Sequence, residues 1–318
     1  MEGGRRFSPP PPPPRETVLV KAIRWHFKHV VPTLFLVVAA PAAQAVDYTW
    51  QGGSGNWTDS NWSVAGFPNA AASNALIDGG NPLNSVVNLN TNASIDTFGI
   101  GSGDTLNILN GSSLTLNGGT STNTGTLSLN GTGADTYLLL SGDTTLAGSG
   151  TTVLGNDANN RIDSNNGQLR TLTVGSGQTL EGGGSVGGIY NQIKVVNQGT
   201  VLADATGGMR VNVSDSGGAG FDNSAGQIQV ANGSSLSLNG GTISGGTVQG
   251  TGSSGLGVGG TLQNLTVQGG FNMSGSGGSF NGATLNNSNT VTGNIGLVNT
   301  TNTGALALNN GGQVNTSG

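Results

Sequence analysis

The chain has 318 residues, of which 59 are glycine, 8% are charged and none is cysteine. The lack of cysteine excludes disulfide bonds, thiolate nucleophiles and thiolate metal sites. An ordinary globular enzyme carries about a quarter charged residues, and a disordered chain is typically highly charged and poor in β-branched residues. The recurring clusters of Val, Ile, Leu and Thr instead favour many short strands.

The first 45 residues predict a leader rather than part of a fold. Residues 1–17 form a proline-rich extension, and an alternative interpretation is that translation begins after it, near Val18. Residues 18–45 combine basic residues, an apolar core and a small-x-small sequence. This pattern predicts a signal peptide, helical or disordered, that is cleaved after Ala45. An uncleaved signal anchor is the alternative, although its apolar stretch is shorter than the ~20 residues of a membrane span.

Cleavage of this leader changes the charge of the protein. Both histidines and six of the ten basic residues lie in it, which leaves four basic and 13 acidic residues and a formal charge of −9. Such a surface repels nucleic acids, whose binding depends on clustered Lys and Arg. We therefore expect no nucleic-acid partner, and neither a Ser-His-Asp triad nor a zinc site.

Residues 46–89 predict an N-terminal cap rich in tryptophan. Trp50, Trp57 and Trp62 are the only tryptophans after the leader. Such a cluster either closes the hydrophobic column of a stack of strands or, when exposed, stacks on the rings of a glycan. We prefer the cap, because solenoids need capped ends.

Residues 90–318 predict a parallel β-solenoid. The runs Leu114–Leu116 and Leu236–Leu238 alternate leucine with a hydroxyl residue, which places leucine on one face of a strand. They lie in near-identical segments offset by 122 residues, which fits six units of about 20 residues. Strands this short are stable only when stacked. We therefore predict an all-β, single-stranded, right-handed parallel β-helix of about eleven turns, with an antiparallel sandwich as the alternative.

The distribution of glycine, asparagine and proline fits such a coil. Glycine and asparagine accept left-handed backbone angles, and inward asparagines predict hydrogen-bonded ladders along the stack. No proline follows Pro82, as a ladder that uses every backbone N–H requires.

Residues 48–69 read YTWQGGSGNWTDSNWSVAGFPN, a W-x-G, G-x-W and N-W series followed by G-x-P. This segment resembles the opening of autotransporter passenger-type proteins with autotransporter-associated β-strand repeats. The positions that fit are Trp50, Trp57, Asn61, Trp62, Gly66 and Pro68. Residues 196–204 and 221–238 are similar to the repeats of that family.

The resemblance implies export by a Gram-negative bacterium, to the outer membrane surface or the medium, and an adhesive role. Members of the family end in a membrane barrel, and no such segment precedes Gly318. We therefore expect the C terminus to be truncated, with membrane attachment only through a missing barrel or anchor.

Asp157, Arg161 and Asp163 form the most charged segment after the leader. Paired carboxylates cleave glycosidic bonds, so a polysaccharide-degrading β-helix enzyme is the alternative function. A solvated loop is the simpler interpretation, because nothing in the sequence brings the two carboxylates together and no histidine remains to act as a base.

Residues 99–107 partly match the calcium-binding nonapeptide G-G-x-G-x-D-x-U-x, but Ile100 and Ser102 replace glycines and the segment is not repeated. We expect no metal and no cofactor. The sequence predicts a non-catalytic, exported structural or adhesive protein. Its extended polar face contacts a host or abiotic surface, or a glycan, through many weak contacts.

Overall fold

A computed structural model describes residues 44–317, except 78–83 and 219. These residues form one compact unit of strands, without a helix in any of the described segments. The extension at 1–17 and the leader up to residue 43 lie outside the described residues. The 34 strands pair in parallel, so the predicted all-β parallel solenoid is confirmed and the sandwich is excluded. The hand of the coil stays a prediction.

The chain passes in each turn from face 1 to face 2 to face 3, and most turns contribute one strand to each face. Face 1 is a 12-stranded sheet. Its strands are β2 (Ser54–Asn56), β4 (Val86–Leu89), β7 (Thr105–Leu109), β10 (Thr126–Asn130), β13 (Thr151–Leu154), β16 (Thr179–Gly182), β19 (Thr200–Ala203), β22 (Gln227–Val230), β25 (Thr247–Gly250), β28 (Thr266–Gln268), β30 (Thr284–Leu285) and β32 (Thr301–Asn302).

Faces 2 and 3 together form a 22-stranded sheet. Face 2 contains β5 (Ala93–Ile95), β8 (Ser113–Leu116), β11 (Thr136–Leu140), β14 (Asn160–Ser164), β17 (Ser185–Val186), β20 (Met209–Asn212), β23 (Ser235–Gly240), β26 (Ser254–Val258) and β33 (Leu306–Leu308). Face 3 contains β1 (Val46–Thr49), β3 (Ser73–Ile77), β6 (Phe98–Ile100), β9 (Gly119–Asn123), β12 (Thr144–Ala147), β15 (Arg170–Val174), β18 (Ile193–Asn197), β21 (Phe221–Asp222), β24 (Thr242–Ser244), β27 (Thr261–Gln263) and β34 (Gln313–Ser317).

Two long strands join these faces. β29 (Phe271–Asn281) and β31 (Asn289–Val298) run without a break through the corner between faces 2 and 3. Each pairs at its start with a face 2 strand and at its end with a face 3 strand. A register shift between Ser276 and Ser279 takes up the bend of β29.

The core is a column of aliphatic side chains inside the coil. Leu114, Leu116, Leu236 and Leu238 are buried, as their alternation predicted. Complete burial of one such side chain stabilises the fold by about 1.5–3 kcal/mol. The short strands are therefore held by the column that they share, rather than by any one turn.

The structure has about 11 turns, and their length is not constant. Leu114 and Leu236 are separated by five turns, through β11, β14, β17 and β20. The predicted six units of about 20 residues are therefore wrong, since each of these turns averages about 24 residues. Loops at the corners account for the difference, because they lengthen a turn without changing the strand pattern.

Buried amide side chains fill the corner between faces 3 and 1. Asn197 donates from Nδ2 to Asn223 Oδ1 at 2.7 Å and to the Gln227 carbonyl at 3.0 Å. Its Oδ1 accepts the Gly199 N–H at 3.1 Å. This is a hydrogen-bonded asparagine ladder of the kind that the sequence predicted. It satisfies backbone groups that the corner removes from the sheet.

A longer amide completes the same corner in the preceding turn. Gln178 donates from Nε2 to the carbonyl oxygens of Asn123, at 2.7 Å, and Ala147, at 3.1 Å. The turn between contains small residues, so Gln178 reaches across it. Gly182 follows at the next corner with φ +117°, where a Cβ would collide with the Leu154 carbonyl oxygen.

Candidate interaction surface

The three tryptophans pack against each other at the start of the coil. Trp50, Trp57 and Trp62 are 1%, 0% and 5% exposed. The ring of Trp62 lies 5.1 Å from that of Trp50 and 5.0 Å from that of Trp57, both edge to face. Their indole N–H groups donate to the carbonyl oxygens of Gly53, Pro68 and Trp57. Burial of all three favours the capping interpretation, and a glycan contact here stays an untested prediction.

Arg161 turns away from the two carboxylates that flank it in sequence. Its Nε donates to the Ala158 carbonyl at 3.0 Å and its Nη2 to Asn159 Oδ1 at 2.9 Å. Its ion pair, at 3.8 Å, is with Asp135 of the preceding corner. The guanidinium also lies over the ring of Tyr137, 6.0 Å from its centroid. The residue therefore braces two adjacent loops.

The two aspartates of this segment accept hydrogen bonds from backbone N–H groups. Asp157 accepts the Asn159 N–H at 2.9 Å, which closes a local turn. Asp163 is completely buried and accepts the N–H groups of Ser164 and Ile189, each at 2.7 Å. Bonds of this kind favour a structural role for both carboxylates over an acid–base role.

Tyr137 reports on the environment of this corner. Burial raises the pKa of Tyr137 to about 12, and the hydrogen bond and negative charge of Asp135 act in the same direction. Arg161 opposes the shift, while Asp163 adds to it. The tyrosine is therefore a protonated donor near neutral pH.

The segment compared with calcium-binding nonapeptides runs from β6 into β7. Asp104 is buried and accepts the Ser85 N–H at 2.7 Å. Across the described ranges, no three His, Cys, Asp or Glu side chains are grouped closely enough to hold a metal ion.

Face 1 carries the most regular outward surface. Its strands align so that one outward position is threonine in nine of ten successive turns, with Gln227 as the exception. The column is Thr105, Thr126, Thr151, Thr179, Thr200, Gln227, Thr247, Thr266, Thr284 and Thr301. Hydroxyl groups at nine levels and an amide at the remaining one make this a continuous polar ladder along the coil axis.

The neighbouring outward column of face 1 divides into three parts. Near the start, Asn107 donates to Asn88 Oδ1 at 3.0 Å and accepts from Asn130 at 3.1 Å. The middle part is Val153, Glu181 and Leu202, and the third part is Gln229, Gln249 and Gln268. Desolvation by burial raises the pKa of Glu181, and the negative charge of Asp204 raises it further.

The third part contains a shallow groove. Two adjoining depressions of about 160 and 250 Å³ share Gln229 and Gln249. The residues that line them are Leu202, Gln227, Ile228, Gln229, Val230, Ala231, Thr247, Gln249, Thr251 and Gln268. None of these is charged.

Sequence reasoning did not single out these glutamines. The signal was present as the strand sequences QIQV, TVQG and TVQ, in which Gln229, Gln249 and Gln268 recur after 20 and 19 residues. The register of the strands was needed to show that these three residues share one column.

No family model matches the chain, and neither the curated proteins nor the solved structures give a match. In the part of the chain that the structure describes, no helix is long and apolar enough to cross a membrane. The parallel solenoid is thus established by the strand pairing alone.

Proposed function

We propose that this chain is an exported, non-catalytic structural or adhesive protein that displays an extended polar face outside the cell. The observation that carries the proposal is the ladder of hydroxyl and amide side chains on face 1. A rigid periodic face offers the same chemical group at each ~4.8 Å step, so contacts that are weak singly add up along its length.

Export rests on the leader at 18–45 and on the resemblance of residues 48–69 to autotransporter passenger-type proteins. A stacked core without cysteine suits this location, since the fold depends on no disulfide. The resemblance also makes the outer membrane surface of a Gram-negative bacterium our proposed location.

The absence of catalysis rests on the charged segment that offered the alternative. Asp157 and Asp163 both hold backbone N–H groups, while Arg161 pairs with Asp135. A glycosidase needs two carboxylates that face a common substrate. We therefore favour the structural role over the polysaccharide-degrading one.

The export half of the proposal is tested in Gram-negative cells that produce the full chain. We expect a mature N terminus at Val46 and sensitivity of the chain to protease added to intact cells. An Ala45→Lys variant blocks cleavage, because the site requires small residues, and Ala70→Lys is the matched control. A full-length chain retained in the cytoplasm would refute export.

The adhesive half is tested with beads that carry the purified protein, applied to cell and mineral surfaces. Thr105→Glu/Thr126→Glu places two charges on adjacent strands of face 1. Thr145→Glu/Thr173→Glu places the same pair on adjacent strands of face 3 as a control. We expect beads that carry the face 1 variant to lose adhesion and beads that carry the face 3 variant to keep it. Equal adhesion of the two variants would show that face 1 is not the adhesive surface.

A further inference from the structure

We infer that the groove of face 1, from β19 to β28, binds an uncharged linear polysaccharide. The inference rests on the proposed function, since it names the ligand class of the same polar face. It is carried by the amides of the groove, by the apolar side chain of Leu202 at one end and by the distribution of charge around it.

The amides supply hydrogen-bonding groups suited to sugars. Each glutamine has two N–H donors and one acceptor oxygen, which together match neighbouring sugar hydroxyls. Gln229 donates to Gln227 Oε1 at 3.2 Å, which orients both side chains before any ligand binds. Gln249 and Gln268 are exposed, and no hydrogen bond engages their side chains within the described segments. Their donors and acceptors face solvent.

One end of the groove is apolar. Leu202 is half-buried and lies in register with Gln229, next to the buried Val230. A pyranose ring presents C–H groups on its faces and hydroxyl groups around its edge. Leu202 therefore offers an aliphatic surface for the face of one ring, while the amides next to it along the column reach hydroxyl groups at the ring edges. Because no aromatic residue lines the groove, each ring is held weakly and affinity accumulates over several rings.

The acidic residues next to the groove disfavour the binding of anionic polysaccharides. The lining residues carry no charge, and the charged groups next to the groove are acidic. Glu181 is the in-register neighbour of Leu202, and Asp204 follows β19 at the same end of the groove. An anionic polysaccharide meets repulsion there that an uncharged one does not.

The register favours a polymer over a single sugar. Gln229, Gln249 and Gln268 occupy the same position in three successive strands. Strands are spaced by about 4.8 Å, close to the length of one sugar unit in an extended chain. A chain that follows the coil axis therefore meets an equivalent amide at each unit.

The test is affinity electrophoresis of the full protein in gels that contain mannan, a soluble β-glucan or xylan, with alginate as the anionic comparison. We expect an uncharged polysaccharide to retard the protein and alginate to leave it unretarded. Gln249→Ala/Gln268→Ala removes two amides and weakens retardation by at least about tenfold. Gln263→Ala, an outward glutamine of β27 on face 3, is the matched control and keeps full binding.

Three results would overturn the inference: no retardation by any uncharged polysaccharide, equal retardation by alginate, or binding that the double variant retains. A double variant that binds normally but unfolds at lower urea concentration assigns the amides to a structural ladder instead. The proposed function is judged separately, because protein-coated beads that still adhere to surfaces leave it standing when polysaccharide binding fails. Retention in the cytoplasm would defeat the proposed function, even if purified protein binds polysaccharide.

Discussion

Replacing Asn197 by aspartate keeps the shape of the side chain and inverts its hydrogen bonding. Its Nδ2 donates to two oxygens, on Asn223 and on the Gln227 carbonyl, at 2.7 and 3.0 Å. In Asn197→Asp, a carboxylate oxygen faces these two acceptors in a site that is 1% exposed. The protonated acid restores one of the two donors, so we expect a loss of about 1 kcal/mol at low pH.

At higher pH the loss grows. Burial and the two facing oxygens raise the pKa of the new carboxyl in the folded state above its unfolded value of about 3.9. The folded state then binds more protons than the unfolded state, so stability falls as pH rises through the interval between the two pKa values. The slope is about 1.4 kcal/mol per pH unit. From about pH 4 to pH 6 the loss therefore grows by about 3 kcal/mol, a large part of the 5–15 kcal/mol stability of a typical domain.

Amide hydrogen exchange at Gly199 measures this loss where it arises, because a stack of turns opens locally as well as globally. Asn272→Asp is the control, since Asn272 is exposed on β29. The opening free energy of each variant is compared with that of the unmodified protein at each pH. Equal pH dependence of the two variants would refute the ladder as a buried, fully bonded network.

The remaining predictions concern the core and two titrating groups. Leu116→Ala and Leu238→Ala each lower the free energy of unfolding by about 3 kcal/mol in urea titrations. Leu308→Ala is the control, because this side chain is 54% exposed, and it changes the free energy of unfolding by less than about 0.5 kcal/mol. Equal effects of the three substitutions would contradict the inward leucine column. Because burial and then Asp204 raise the pKa of Glu181, its folded form holds a proton that the unfolded form releases, and stability falls as pH rises above about 4.3. Glu181→Gln flattens that part of the stability profile, and an unchanged profile would show that Glu181 is not its source. Asp135→Asn lowers the pKa of Tyr137 from about 12, but not to its ordinary value, because burial is the larger cause of the shift. Ultraviolet titration of tyrosinate measures this pKa, and Asp143→Asn is the control.

The strand pattern of this fold is readable from sequence because it is local. Leu116 and Leu238 alternate with hydroxyl residues, and that alternation alone fixes which side faces inward. The asparagine ladder was also predictable, since amides at inward corners have few other partners. The clustering of tryptophans at 50–62 indicated a cap, because the end of a stack of strands must be closed.

The number of residues per turn was not predictable, because corner loops are solvent-exposed and carry no period. Loops at several corners, among them residues 187–192 after β17, lengthen the turns between Leu114 and Leu236, which is why the predicted unit of about 20 residues was too short there. The groove on face 1 lies where the turns are close to the predicted length. Its glutamines recur after 20 and 19 residues, but that they form one column is known only from the register of the three strands.

The continuous path of β29 and β31 around a corner has a mechanical consequence. Where a loop separates the strands of faces 2 and 3, as between β17 and β18, a pulled turn can release its strand on one face while the loop extends and gives slack. In β29 and β31 no such slack exists, so tension reaches the hydrogen bonds of two faces together. These turns therefore resist unspooling more than their neighbours, and a rod stretched at both ends yields first in the loop-rich turns around β17.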